Sequence, residues 1–214
     1  MSSIAIIDYG MGNLHSIAKA VEHVAPDSRV RISSDADEIL SADRVVFPGV
    51  GGIGHTMQEL TRTGLGQVVH QAVAADRPML CICVGMQALF ERSAENDGTA
   101  CLDLIPGEVR RFPEGMSGAE GSKLKVPHMG WNQVHQKPHP LWDGIAQDSR
   151  FYFVHSYYTA PAGQDLQVAT TDYGLEFCCA LARENLFAVQ FHPEKSQRAG
   201  LALLRNFSRW DGRC

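Results

Sequence analysis

Met79-Leu80-Cys81-Ile82-Cys83-Val84-Gly85-Met86-Gln87 carries a strand straight into a turn and a helix. Four apolar residues in a row form a short buried strand. Cys83 and Gly85 then mark a tight turn into a helix expected to carry Met86, Leu89 and Phe90. Upstream, residues 4–7, 30–32 and 45–47 read as strands of the same kind. Between them lie helical stretches: one with Leu14, Ile17, Ala18 and Val21 on one face, one over 36–40, and two around 57–60 and 68–74. Short buried strands alternating with helices imply βαβ units and a parallel sheet.

Downstream the pattern turns to β: residues 108–112, 123–126, 132–135, 151–159, 166–171, 177–182 and 186–191, with 183–185 as a hairpin turn. The Gly- and Ser-rich residues 115–122 read as a mobile loop, and Leu201, Leu204 and Phe207 as the apolar face of a final helix. No repeat, low-complexity tract or linker interrupts the chain. The expectation is one α/β domain over residues 1–214, with a central mixed, largely parallel sheet flanked by helices.

With 214 residues, 44% of them hydrophobic and 20% charged, the composition excludes disorder and fibrous folds. Lys and Arg number 19 against 24 Asp and Glu, a net charge of −5 that lacks the basic footprint of a nucleic-acid binder. No apolar run approaches the ~18 residues of a membrane span. The first residues carry no basic stretch ahead of an apolar one, so no signal peptide is expected. The six cysteines, Cys81, Cys83, Cys101, Cys178, Cys179 and Cys214, have no disulfide-framework spacing and no C-x-x-C. A reduced, cytoplasmic protein is expected, with no cofactor and no metal.

The chemistry concentrates in two motifs. A thiol at residue 83 would stand on a strand-to-helix turn above the sheet edge, where the helix N-terminus favours the thiolate. The Val84 N–H behind it would face a developing oxyanion. Cys81 lies inside the strand and reads as a small buried hydrophobe. The second motif is Gln190-Phe191-His192-Pro193-Glu194-Lys195-Ser196. His192 just past a strand, with Glu194 two residues on, can form a base and its orienter. Since active sites of open α/β sheets lie at strand C-termini, the joint reading is a Cys83–His192–Glu194 triad.

Two other features read as traps. Gly49 to Gly54 satisfies G-x-G-x-x-G, but Pro48 intervenes and the next strand ends without the acidic residue a dinucleotide ribose needs. A loop presenting its backbone N–H groups to Cys83 is the better reading. His135 and His139 have metal-like spacing, yet Pro138 and the lack of partner ligands favour an ordinary loop.

Cys83 to Gln87 together with Phe191 to Ser196 resembles the class-I, triad-type glutamine amidotransferases, whose fold is flavodoxin-like. Residues 8–13 (DYGMGN), 48–51 (PGVG) and 126–132 (VPHMGWN) narrow the resemblance to the glutaminase subunits of imidazole glycerol phosphate synthases, from histidine biosynthesis. The likeness runs from about residue 4 to about residue 207. Cys81 stands where that family usually has Gly, and Val84 where it has Leu.

The resemblance implies that Cys83 attacks the glutamine amide, His192 shuttles protons and Glu194 orients His192. The oxyanion would be held by the N–H of Val84 and, after a peptide rearrangement, by that of Val50. Gly51, Gln87, His155, Ser156 and Tyr157 match positions that bind glutamine. Asn13, Met129, Trp131, Tyr152 and Lys195 match positions that meet the partner, a (β/α)8-barrel cyclase subunit receiving the ammonia in a heterodimer, or that sense its ligand. The isolated chain is then expected to be nearly inactive. An amidotransferase serving anthranilate or guanylate synthesis, and a non-catalytic scaffold, are the competing readings.

Overall fold

The computed structural model describes residues 2–118 and 121–213. Its first part is built of the expected units: β1 (Ser3–Ile7), α1 (Leu14–Val24), β2 (Arg29–Ser33), α2 (Ala36–Ser41), β3 (Arg44–Gly49), α3 (Ile53–Thr63), α4 (Leu65–Ala74) and β4 (Met79–Cys83). Every residue of β4 is buried, as a strand covered on both faces requires. α1 turns Ile17, Ala18, Val21 and Val24 inward at three- and four-residue spacing. α2 starts at Asp35, whose carboxylate accepts the Glu38 N–H at 2.8 Å.

The second part comprises α5 (Val84–Gln87), β5 (Phe90–Ser93), β6 (Thr99–Ala100), β7 (Ile105–Arg111), β8 (His128–Gln133), β9 (His135–Gln136) and β10 (Arg150–His155). It ends with β11 (Tyr157–Pro161), β12 (Gln167–Asp172), β13 (Glu176–Arg183), β14 (Leu186–Val189) and α6 (Gln197–Arg209). The main sheet runs β2-β1-β3-β4-β14-β13-β11-β7-β5-β6, with β12 attached to β13 and β9 to β12. Its centre, β2-β1-β3-β4-β14, is all parallel, the flavodoxin-like order with β14 as fifth strand. β13, β11, β12 and β9 join antiparallel. α1 packs against α6, and α3 and α2 against α4.

Four expectations change. The helix after Cys83 is one turn, not long enough to include Leu89 and Phe90. The N–H groups of residues 102–105 bond to the carbonyls of Ala88, Leu89 and Phe90, so tertiary pairing claims that backbone and Phe90 opens a strand. Residues 123–126 are no strand: only Lys123 bridges, to Ser117, and no neighbouring strand takes the remainder. Residues 119 and 120 of the expected mobile loop 115–122, and Cys214, lie outside the described residues.

The run 151–159 breaks at Ser156 because the chain changes sheets there. β10 pairs antiparallel with β8 in a separate two-stranded ribbon, whereas β11 pairs with β7 and β13 in the main sheet. The run 132–135 is likewise divided between β8 and β9. Phe151 and Phe153 seat the ribbon on Phe191, with ring centroids 4.2 and 5.6 Å apart. That contact brings the backbone of Tyr152 against the end of β14.

Candidate active site

The site is assembled at the C-terminal edge of the parallel centre. Cys83 is paired in register with Gly49 of β3, and Ile82 with Val189 of β14. Cys83 has φ 56° and ψ −110°, a strained conformation for a residue with a side chain, costing of order 1–3 kcal/mol. Strain of this kind is held in place by packing on either side. A Cβ at Gly85 would lie 2.2 Å from the Phe47 carbonyl oxygen, and one at Gly49 would lie 2.5 Å from the Gly85 nitrogen. Only bare backbone lets α5 sit this close on β3. Because α5 is a single turn, its dipole is a weak source of positive potential at the sulfur. The nearby imidazole has to supply it.

That imidazole belongs to His192, two residues beyond Gln190. Its backbone N–H donates to the Tyr152 carbonyl at 2.9 Å. Ser196 closes the other side: its hydroxyl donates to the His192 carbonyl at 2.6 Å and accepts the Tyr152 N–H at 2.9 Å. The ring Nδ1 bonds Glu194 Oε1 at 2.9 Å, and the two side chains are 2% and 1% exposed. Since a carboxylate only accepts, Nδ1 carries the proton and Nε2 is left for the sulfur. Burial disfavours the imidazolium, but the Cys83 sulfur and the Glu194 carboxylate outweigh it and raise the His192 pKa to about 9. Nε2 makes no hydrogen bond within normal limits, although the sulfur is near enough to act on the ring. Contacts of this kind commonly tighten only when substrate binds.

Cys83 and His192 open into one cavity of about 400 Å³. Val50, Gly51, Val84 and Gln87 line it from the β3 and β4 side; His155, Ser156, Tyr157 and Lys195 line it from the other. Glu194 stands behind His192, outside the lining. Glu95, which the sequence did not single out, adds a carboxylate. Its Oε2 accepts the Ile53 N–H at 3.1 Å, tying it to the glycine loop before α3.

The glutamine amidotransferase class-I family model matches residues 5–209. The chain belongs to that family. It is 60% identical to the imidazole glycerol phosphate synthase subunit HisH of Methylococcus capsulatus, over 99% of this chain and 98% of that one. It is 57% identical to the HisH subunit of Nitrosococcus oceani, over 99% of each chain. A crystal structure of a glutamine amidotransferase shares the fold, with a TM-score of 0.72 over 98% of each chain at 14% identity.

Within this amidotransferase, two of the expected substrate residues have most of their polar atoms already engaged. Gln87 gives its amide protons to the Tyr157 carbonyl at 3.0 Å and to Gln190 Oε1 at 2.9 Å, leaving Oε1. His155 Nδ1 donates to the Tyr157 carbonyl at 2.8 Å, so its Nε2 accepts from His128 Nδ1 at 3.0 Å. Burial pushes the pKa of His155 down to about 3 and that of His128 to about 4, keeping both rings neutral. His155 is therefore a strut under Tyr157, able to meet a ligand through its backbone.

Among the described residues, the exposed large hydrophobic side chains are Val126, Met129 and Trp131, the last two alternating on β8. The Trp131 ring packs edge-on against Tyr152, 6.0 Å between centroids. Asn13, exposed, opens α1 and accepts the Ser16 and Ile17 N–H groups on its carbonyl. Lys195 is exposed at the cavity mouth. Cys81 is fully buried and its thiol is pushed far above the usual range, so it stays protonated. The five described cysteines are unpaired. His135 is paired with Asp148, and His139 accepts the Leu141 N–H. No described helix is long and apolar enough to cross a membrane.

Proposed function

We propose that this chain is the glutaminase subunit of an imidazole glycerol phosphate synthase and that Cys83, His192 and Glu194 carry the hydrolysis. His192 Nε2 takes the thiol proton, and the sulfur attacks the side-chain amide carbon of glutamine. The oxyanion falls to the N–H of Val84 and, after rearrangement of the glycine loop, to that of Val50. His192 then gives that proton to the departing amide nitrogen, which leaves as neutral ammonia, and activates the water that releases glutamate from the thioester. Glu194 holds Nδ1–H and so keeps Nε2 toward the sulfur. The Glu95 carboxylate and Gln87 Oε1 are suited to the α-ammonium of glutamine, with Gly51, Ser156 and the backbone of His155 and Tyr157 around it.

Ammonia protonates readily in water, so it has to leave through a closed junction. The partner is a cyclase subunit with a (β/α)8 barrel, meeting this chain at Asn13, Met129, Trp131, Tyr152 and Lys195. There the ammonia opens a phosphoribulosyl-formimino-carboxamide nucleotide into imidazole glycerol phosphate and aminoimidazole carboxamide ribonucleotide. The chain functions as one domain over residues 1–214, in the cytoplasm, where its thiols stay reduced.

The observation that carries this reading is the His192–Glu194 bond of 2.9 Å facing the same cavity as Cys83 on its strained turn. Cys83→Ala tests it. The complex should lose glutamine hydrolysis while the cyclase still forms product from added ammonium. A variant hydrolysing glutamine at the parent rate would end the proposal.

A further inference from the structure

Gln190 lies one residue past β14, level with Cys83, because Val189 is in register with Ile82 across the parallel pair. Its side chain is completely buried. Nε2 donates to the Cys83 sulfur at 3.6 Å, and Oε1 accepts from Gln87 Nε2 at 2.9 Å. Gln87 Nε2 also donates to the Tyr157 carbonyl at 3.0 Å. This chain of bonds dictates which way each amide faces. A carbonyl can only accept, so Gln87 turns its NH2 group toward Tyr157 and Gln190; Gln190 then turns its oxygen to Gln87 and its NH2 to the sulfur. A buried amide is expensive unless it is bonded, and Leu or Met would fill the same space without that penalty.

We propose that Gln190 is a positioning residue for the nucleophile: its amide N–H, locked by Gln87 and the Tyr157 carbonyl, holds the Cys83 sulfur in place and stabilises the thiolate. The proposal rests on the reading of Cys83 as the attacking group. An N–H donor bonds an anionic sulfur more strongly than a neutral thiol, so the bond favours the reactive form. It also restrains the χ1 rotation that would carry the sulfur away from His192. The groups titrating near the sulfur are His192 with Glu194 behind it, Tyr9 beyond β1, and Glu95 and Lys195 in the cavity. His155 and Tyr157 complete the lining from β10 and β11. None of them is altered by substituting Gln190.

The test follows alkylation of Cys83 by iodoacetamide in the full-length protein, read by mass spectrometry of the Cys83 peptide across pH. Gln190→Met removes the donor at similar volume. Gln190→Glu keeps an acceptor for Gln87 but presents an oxygen to the sulfur. About tenfold less thiolate near neutrality, partly recovered as higher intrinsic nucleophilicity, leaves a loss of roughly threefold in rate. That loss should shrink as pH rises, because the thiol then ionises unaided. Gln190→Glu should lose more, and kcat for glutamine should fall with KM little changed. A folded variant with the parent's pH profile overturns the proposal. Should neither variant fold, the parent protein still decides: the Gln190 side-chain amide resonances should shift when Cys83 is alkylated, and silence there refutes the bond. Glutamine hydrolysis by Cys83→Ala would instead remove the nucleophile and leave the N–H···S contact standing.

Discussion

Gly200 sits in the first turns of α6, and no catalytic pattern points to it. A methyl group there would lie 1.9 Å from the Pro193 carbonyl oxygen and 2.8 Å from Ser196 Cβ. Ordinary contact begins near 3.4 Å, so helix and turn must part by about 1.5 Å. Alanine in a helix interior gains about 1 kcal/mol over glycine. Overpacking costs about 1–3 kcal/mol, and a backbone carbonyl cannot swing aside as a flexible side chain can. The clash therefore wins and Gly200→Ala is destabilising. The displaced turn carries His192 and Glu194, and Ser196, struck by the same methyl, is the residue that ties the His192 carbonyl to Tyr152. A shift of about 1 Å at a reacting group costs roughly 100-fold in rate. We expect kcat for glutamine to fall by about that factor in the complex with the partner subunit. KM should stay within about threefold, since Gly200 is not itself part of the cavity lining. A net loss of about 1–2 kcal/mol should lower Tm by roughly 2–8 °C. Glutamate release and thermal unfolding measure the two effects. A Gly200→Ala protein with kcat within threefold of the parent and unchanged Tm would show that this contact does not position the His192–Glu194 turn.

Two further outcomes follow from the histidines and the exposed ribbon. His128 and His139 are held at about 4 and His155 at about 3 by burial, below the ordinary 6.5, so the unfolded chain takes up protons first as pH falls. Their contribution is complete above about 6.5 and drains away toward 4, by roughly 2 kcal/mol at pH 5 for each of His128 and His155 and by less for the partly solvated His139. His192, raised to about 9, has the opposite sign: its contribution is complete below about 6.5 and is lost as pH rises through 9. Denaturant midpoints should therefore drop steeply from about pH 6.5 to pH 5; a flat profile there contradicts the buried neutral rings. If the proposed junction is right, Trp131→Ala should weaken binding to the partner subunit by roughly 30-fold or more, as for a buried aromatic anchor, with Tm unchanged. An unaltered Kd by calorimetry would move the junction elsewhere.

The βα alternation, the Cys83 turn and the His192–Glu194 pair were legible in the sequence because each is a local matter. A run such as Ile4 to Ile7 has only one way to bury itself, and a cysteine followed by glycine two residues on signals its own turn. Where neighbours far along the chain decide, the residues alone were mute. The 151–159 run reads as one strand, and only the ribbon's seat on Phe191 splits it between two sheets. The helix after Cys83 has a fair apolar spacing, yet residues 102–105 claim its carbonyls. Gln190 opens the second motif, yet nothing in the motif gives its amide a role. Its amide reaches the sulfur of a residue 107 positions earlier only through the β4–β14 register. Periodic burial is written into neighbouring residues, whereas a hydrogen bond between remote side chains exists only after the sheet has set their register to within a residue.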